Sequence, residues 1–135
     1  MITNFEDITA DLTDEEKRLL PLLLKGFSTK TKANPVKAPV IVERINAARL
    51  VSFKFSEVRL RKLCNYIRKN GLLPLIATSK GYYVSYDPEE ISREVESLLE
   101  RAQSIAVSAQ GLRKFLEQTD ENKQVNSFGQ LKKNA

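Results

Sequence analysis

SEVRLRKLCNYIRKNGLLPLIATSKGYYVSY, residues 56–86, is the stretch on which the reading of the fold turns. Its first half has Leu60, Leu63, Cys64 and Ile67 at the i, i+3, i+4, i+7 spacing of one helical stripe. Arg59, Arg61, Lys62, Asn65, Tyr66, Arg68 and Lys69 fall mostly outside that stripe, so the helix has a strongly basic outer face. Ser56 stands where an N-cap belongs, and Asn70-Gly71 ends the helix, since both tolerate a left-handed backbone. Two short strands follow, 74–78 and 82–86, joined by Ser79-Lys80-Gly81. Gly81 provides a positive φ near the turn, so the pair predicts a hairpin with Lys80 at its tip.

Upstream, Thr13-Asp14-Glu15-Glu16 is a capping box that opens a helix to about Lys25. Leu19, Leu20, Leu22, Leu23 and Leu24 supply its core face, Pro21 predicts a kink or a break, and Gly26 is the stop. Residues 28–36 are polar and basic and predict a loop or a short edge strand, whose lysines can add phosphate contacts. Ala38–Ala47 predicts a short helix with Pro39 near its start. Residues 48–55 then intervene, with a brief strand or, better, Phe53 and Phe55 filling the gap between two helices. The predicted architecture is mainly α with a small β-hairpin. Helix, turn, basic helix and hairpin follow one another in the order of a winged helix-turn-helix, in which the basic helix enters the major groove and the hairpin touches the flanking backbone.

Downstream, Asp87-Pro88-Glu89-Glu90 opens another helix, with Asp87 as N-cap, Pro88 at the first position and Glu90 in the capping-box position. It should run to about Leu116. Ile91, Val95, Leu98, Ala102, Ile105, Ala109, Leu112 and Leu116 form a heptad seam along it, widened by Leu99, Ala106 and Phe115. So regular a stripe predicts a partner helix, most simply from a second copy, so the chain is expected to be a homodimer. The other arrangement folds the helix back on the Pro21 helix of its own chain. Gly111 costs this helix about 1 kcal/mol and marks a place to bend. The expected organisation is an arm over 1–12, a winged helix-turn-helix over 13–86, a long helix and candidate dimerisation element over 87–117, and a disordered polar tail over 118–135.

The chain has 135 residues and a formal charge of +5, and that charge is unevenly spread. Residues 25–80 hold thirteen Lys and Arg against two acids, while the rest of the chain is net acidic. That concentration suits steering towards phosphates. There is no histidine, which removes the usual acid–base group and the commonest metal ligand. The single cysteine, Cys64, permits no internal disulfide and sits on the apolar stripe as a buried hydrophobe. The acids at 87–90 are explained by the helix cap rather than by a metal. No enzyme activity, cofactor or metal is therefore expected. No secretory or membrane-spanning segment is legible, which predicts a soluble, cytoplasmic protein that does not engage a membrane.

On the basic helix, Ser56, Glu57, Arg59, Lys62 and Asn65 are expected nearest to base edges, where Arg pairs with guanine and Asn with adenine. Arg61, Arg68, Lys69, Thr78, Ser79, Lys80 and Tyr82 suit phosphates, although one of Tyr82 and Tyr83 must face the core.

The run LRKLCNYIRKNGLLPLIATSKGYYVSYDPEEI, followed by SLLERAQSIAVSAQGL and preceded by LTDEEKRLLPLLLKGF, resembles a group of small winged helix-turn-helix DNA-binding proteins of bacteriophages and prophages, mostly uncharacterised. The resemblance spans about residues 12–116 and implies DNA binding in phage replication or gene control, in a bacterial host cytoplasm. This chain departs from the group in its long 48–55 linker.

Two functions are carried forward from this reading. One is binding of duplex DNA by a dimer. The other is a winged-helix protein-interaction module acting on a host or viral protein, with its cations turned towards an acidic partner.

Overall fold

Thr13 starts the first helix, α1 (Asp14–Ser28), by the reciprocal cap that its sequence predicts. The Thr13 hydroxyl accepts the Glu16 amide at 3.2 Å, and the Thr13 amide donates to Glu16 Oε1 at 2.8 Å. A computed structural model describes the backbone of residues 10–127 and the side chains of residues 10–118. Most of the expected arm, residues 1–9, and the end of the chain, residues 128–135, lie outside the described residues.

The helix is not broken at Pro21. Pro21 and Lys17 are both exposed, so the Lys17 carbonyl that loses its partner is on the water side, where the loss is smallest. Nor does Gly26 stop it. Phe27 is 2% exposed and continues the stripe of Leu19 and Leu23, so core burial carries the helix on to Ser28.

After α1 the chain makes a small loop closed by a Thr31–Asn34 bridge, then lays Val36 against the hairpin. Val36 and Tyr82 exchange both backbone hydrogen bonds, at 2.9 and 2.7 Å. This contact explains Gly81. With φ of +127° it adopts a backbone that side chains rarely reach, and a Cβ there would stand 2.5 Å from the Val36 carbonyl oxygen.

Helix α2 (Ala38–Ala47) starts at Lys37, which caps it without a side-chain bond, and buries Ile41 and Ile45. The 48–55 segment is bends rather than strand. Asn46 is the reason: its Nδ2 donates to the Phe55 carbonyl at 3.0 Å, and its Oδ1 accepts the Phe55 amide at 2.8 Å. At Phe55 both backbone groups that a strand would use are thereby taken. Phe55, 1% exposed, fills the gap between helices as expected.

Helix α3 (Glu57–Lys69) is capped by Ser56, whose hydroxyl accepts the Arg59 amide at 3.3 Å. Leu60, Leu63 and Ile67 are fully buried beside Cys64. Asn70 and Gly71, the latter at φ +62°, end the helix. Strands β1 (Leu75–Thr78) and β2 (Gly81–Val84) pair antiparallel, with Leu75 opposite Val84 and Thr78 opposite Gly81. One core runs from Leu12 through α1, Val36, α2 and α3 to Leu75 and Val84.

Helix α4 (Pro88–Ser127) opens at Asp87, whose carboxylate accepts the Glu89 amide at 3.1 Å. The capping box expected of Glu90 does not form. Ser85 supplies the hydroxyl for the Asp87 amide instead, at 3.2 Å, and Glu90 accepts from Ser85 and from the Tyr83 hydroxyl. Glu90 thus ties the hairpin to the first turn of α4. The helix also outruns its expected end at Leu116 and takes in residues 118–127 of the tail read as disordered. No Gly or Pro interrupts those residues, and an established helix gains one hydrogen bond for each residue it adds without a new nucleation step.

Among the described residues, the chain is mainly helical with one two-stranded antiparallel sheet. It divides into two units at Ile91/Ser92, so the first turn of α4 belongs with the first unit. Among the described residues, no helix is long and apolar enough to cross a membrane.

Candidate nucleic-acid interface

Thirteen residues of α3 present one buried stripe, and at about 100° per residue the remaining side chains divide into two flanks and a face between them. Arg59 and Lys62 lie towards one flank, Arg61 and Arg68 on the other, and Asn65 and Lys69 between them.

The first flank meets α1. Glu16 is fully buried, and its carboxylate takes Arg59 Nη1 at 3.1 Å and Lys62 Nζ at 2.8 Å. The Thr13 amide makes a third donor. Burial pushes the Glu16 carboxyl up, but the bonds from Lys62 and Thr13 and the Lys62 charge outweigh it, leaving the group below the ordinary carboxylate range. The Arg59 guanidinium also lies 3.8 Å over the Phe53 ring. Two residues expected to read bases are therefore occupied in holding α3 to α1. Lys62 keeps 11% of its side-chain surface and Arg59 37%. Nearby, Glu15 clamps the interhelix segment: its carboxylate accepts the Ser52 amide at 2.8 Å and the Ser52 hydroxyl at 2.6 Å, which lowers its pKa.

The second flank meets the hairpin. Arg68 Nε donates to the Leu75 carbonyl at 2.9 Å, so this residue, expected on phosphates, bridges α3 to β1. Tyr82 also turns inward. Its ring lies 5.7 Å from Phe27. Burial raises the Tyr82 hydroxyl and pushes the Cys64 thiol up to about 12, so neither ionises near neutrality. Tyr83, on the opposite face of the strand, is buried as well, through its bond to Glu90. Neither tyrosine of the pair is an outer-surface residue.

What remains outside is a smaller set. Arg61, Lys69, Ser79 and Lys80 are exposed and Asn65 is partly so. Among the described residues, no ion pair involves Arg61, Lys69 or Lys80. Ser56 is exposed at the start of α3 but spends its hydroxyl on the cap. Thr78 is spent in the turn, where its hydroxyl accepts the Lys80 amide at 3.2 Å. Lys80 is thereby held at the tip of a short, closed turn.

Two lysines join this set. Lys32 borders a shallow cleft with Ser79 and Lys80, and Lys37 borders a second, of about 250 Å³, with Ala38, Pro39, Thr78 and Ser79. Lys32 falls in the segment whose lysines the sequence offers to phosphates. Lys37 had a weaker signal: Pro39 in the first turn makes it the cap of α2, but the docking of Val36 on β2 is what brings that cap to the hairpin.

The seam residues of α4 are a separate feature. Ile91 is partly buried in the first unit. Val95, Leu98, Ile105, Leu112 and Leu116 are exposed, as are Ala102 and Ala109 between them. No family model, curated protein or solved structure significantly matches this chain.

Proposed function

We propose that residues 10–91 are a winged helix-turn-helix that binds duplex DNA, with α3 in the major groove and the β1–β2 hairpin as the wing. The carrying observation is the exposed set Arg61, Lys69 and Lys80, free of ion pairs among the described residues, on the outer side of α3 and the hairpin tip. The element order supports the reading. Val36 docks on β2 between α1 and α2, so the chain runs helix, short strand, helix, helix, hairpin, as a winged domain does. Asn65 stands among the cations on the outward face, where a bidentate donor–acceptor pair suits adenine. Arg61, Lys69, Lys80, Lys32 and Lys37 suit the phosphates. Resemblance to phage-encoded winged proteins supplies the setting, replication or transcriptional control.

A salt titration of affinity for random duplex tests the reading. Each phosphate neutralised contributes about −0.9 to the slope of log affinity against log salt. Changing Arg61, Lys69 and Lys80 together to Ala should flatten that slope by roughly 2.7 if each meets one phosphate. An unchanged slope and unchanged retention in a folded variant would refute it.

The protein-interaction reading has one observation on its side. Leu22, 54% exposed, borders an apolar groove between α1 and α2 that also includes Leu23, Phe27 and Ile41. Salt-insensitive retention of a protein, with no duplex bound, would favour it.

A further inference from the structure

Every described side chain of α4 from residue 98 to residue 118 is exposed. Most of a helix's stability in a protein comes from packing an apolar face, and one whose apolar residues repeat in heptads finds that packing on a partner helix. We infer that α4 pairs with α4 of a second copy of this chain, antiparallel, in a register that sets Ala102 against Ile105 and Ala109 against Leu98 of the other copy.

The argument rests on matching sizes along the seam. Val95, Ala102, Ala109 and Leu116 occupy one class of core position, and Ile91, Leu98, Ile105 and Leu112 the other. In an antiparallel pair each class faces the other. One register then covers the entire seam symmetrically: Ile91 on Leu116, Val95 on Leu112, Leu98 on Ala109, Ala102 on Ile105. Every alanine meets a branched aliphatic, the alternation of large and small that fills a core without voids. On the flank the same register sets Leu99 against Ala106. A parallel in-register pair instead places Ala102 on Ala102 and Ala109 on Ala109, leaving two thin layers between bulky ones.

Charge points the same way. Between residues 89 and 100, α4 holds five glutamates and one arginine, whereas between 101 and 117 it holds Arg101, Arg113 and Lys114 against Glu117. Antiparallel pairing lays the acidic half of each helix along the basic half of the other, and Glu96 comes to the flank of Arg113. Parallel pairing stacks acid on acid. Gly111 falls outside the seam, where a missing side chain costs no packing.

This inference does not depend on DNA binding, and its test uses none. Sedimentation equilibrium of the full chain should give twice the 15.3 kDa chain mass. Leu98→Asp with Ile105→Asp should give the single-chain mass with the thermal unfolding of the first unit retained. For the register, Ala102→Cys and Ile105→Cys chains are oxidised separately and mixed. The unchanged chain is the blank, because its only cysteine, Cys64, is buried. The mixture should cross-link at least tenfold faster than either variant alone. Ala102→Cys cross-linking to itself as fast as the mixture would overturn the antiparallel register. A single-chain mass at every concentration would overturn the pairing altogether.

Discussion

Arg59 and Arg61 sit two residues apart on one helix, carry the same charge and were expected to face the same ligand, yet they have different work. Arg59, with Lys62, is drawn to the buried carboxylate of Glu16. Arg61, with Lys69, faces water on the far side of the axis. The difference teaches that a basic helix has no single basic face. Its cations are sorted by what the neighbouring elements offer. A carboxylate from α1 makes one flank structural, and what the hairpin leaves uncovered stays exposed to water.

The strongest way to break the comparison is to remove the carboxylate. Glu16→Ala should cost about 3–5 kcal/mol, because it leaves two cations without their partner in a mostly buried place and also removes a helix cap. Thermal unfolding should show a fall of more than roughly 10 °C. A fall of only a degree or two would mean that Arg59 and Lys62 are held by something else. Next in size is Gly81→Ala, on the hairpin side. Strain at φ +127° and the collision with Val36 should cost roughly 1–3 kcal/mol. Hydrogen exchange of the Val36 and Tyr82 amides should rise with it, since those two amides form the bridge that the added Cβ would displace.

The two flanks should also part in their response to acid. The folded-state pKa of Glu16 lies below its unfolded value. Its stabilisation is therefore complete above the unfolded carboxylate value, about 4.3, and is lost as pH falls through the depressed folded value. Urea midpoints should decline below about pH 4.5 in the native chain. They should decline less in Glu16→Gln, which has no charge to lose. Smallest is the outer flank. Arg61→Ala alone should leave stability within about 0.5 kcal/mol, as for an exposed surface change, and should flatten the salt slope of DNA affinity by about 0.9. Arg59→Ala should do the reverse, lowering stability more than the slope.

Much of this was legible because it is local. Thr13, Ser56, Asp87, Asn70-Gly71 and Gly81 mark ends and turns that depend on a few neighbouring backbone groups. The stripe of Leu60, Leu63, Cys64 and Ile67 gave the buried face of α3 by period alone. What misled was also local. Pro21 and Gly26 are breakers in isolation, and the burial of Leu19, Leu23 and Phe27 overrides them. Glu90 fits a capping box, and Tyr83 and Ser85, which come from the hairpin, take it instead.

By itself the sequence determined where the helices begin, that a hairpin follows the basic helix, the two apolar stripes and the concentration of positive charge, since each follows from spacing along one segment. Only tertiary structure decided which of the cations remain available. Glu16 is forty-three residues from Arg59 and forty-six from Lys62, and Arg68 spends its Nε on a β1 carbonyl. Pairings over such distances depend on how α1, α3 and the hairpin pack. No periodicity within a single helix encodes them, because a helix specifies only which of its own side chains share a side.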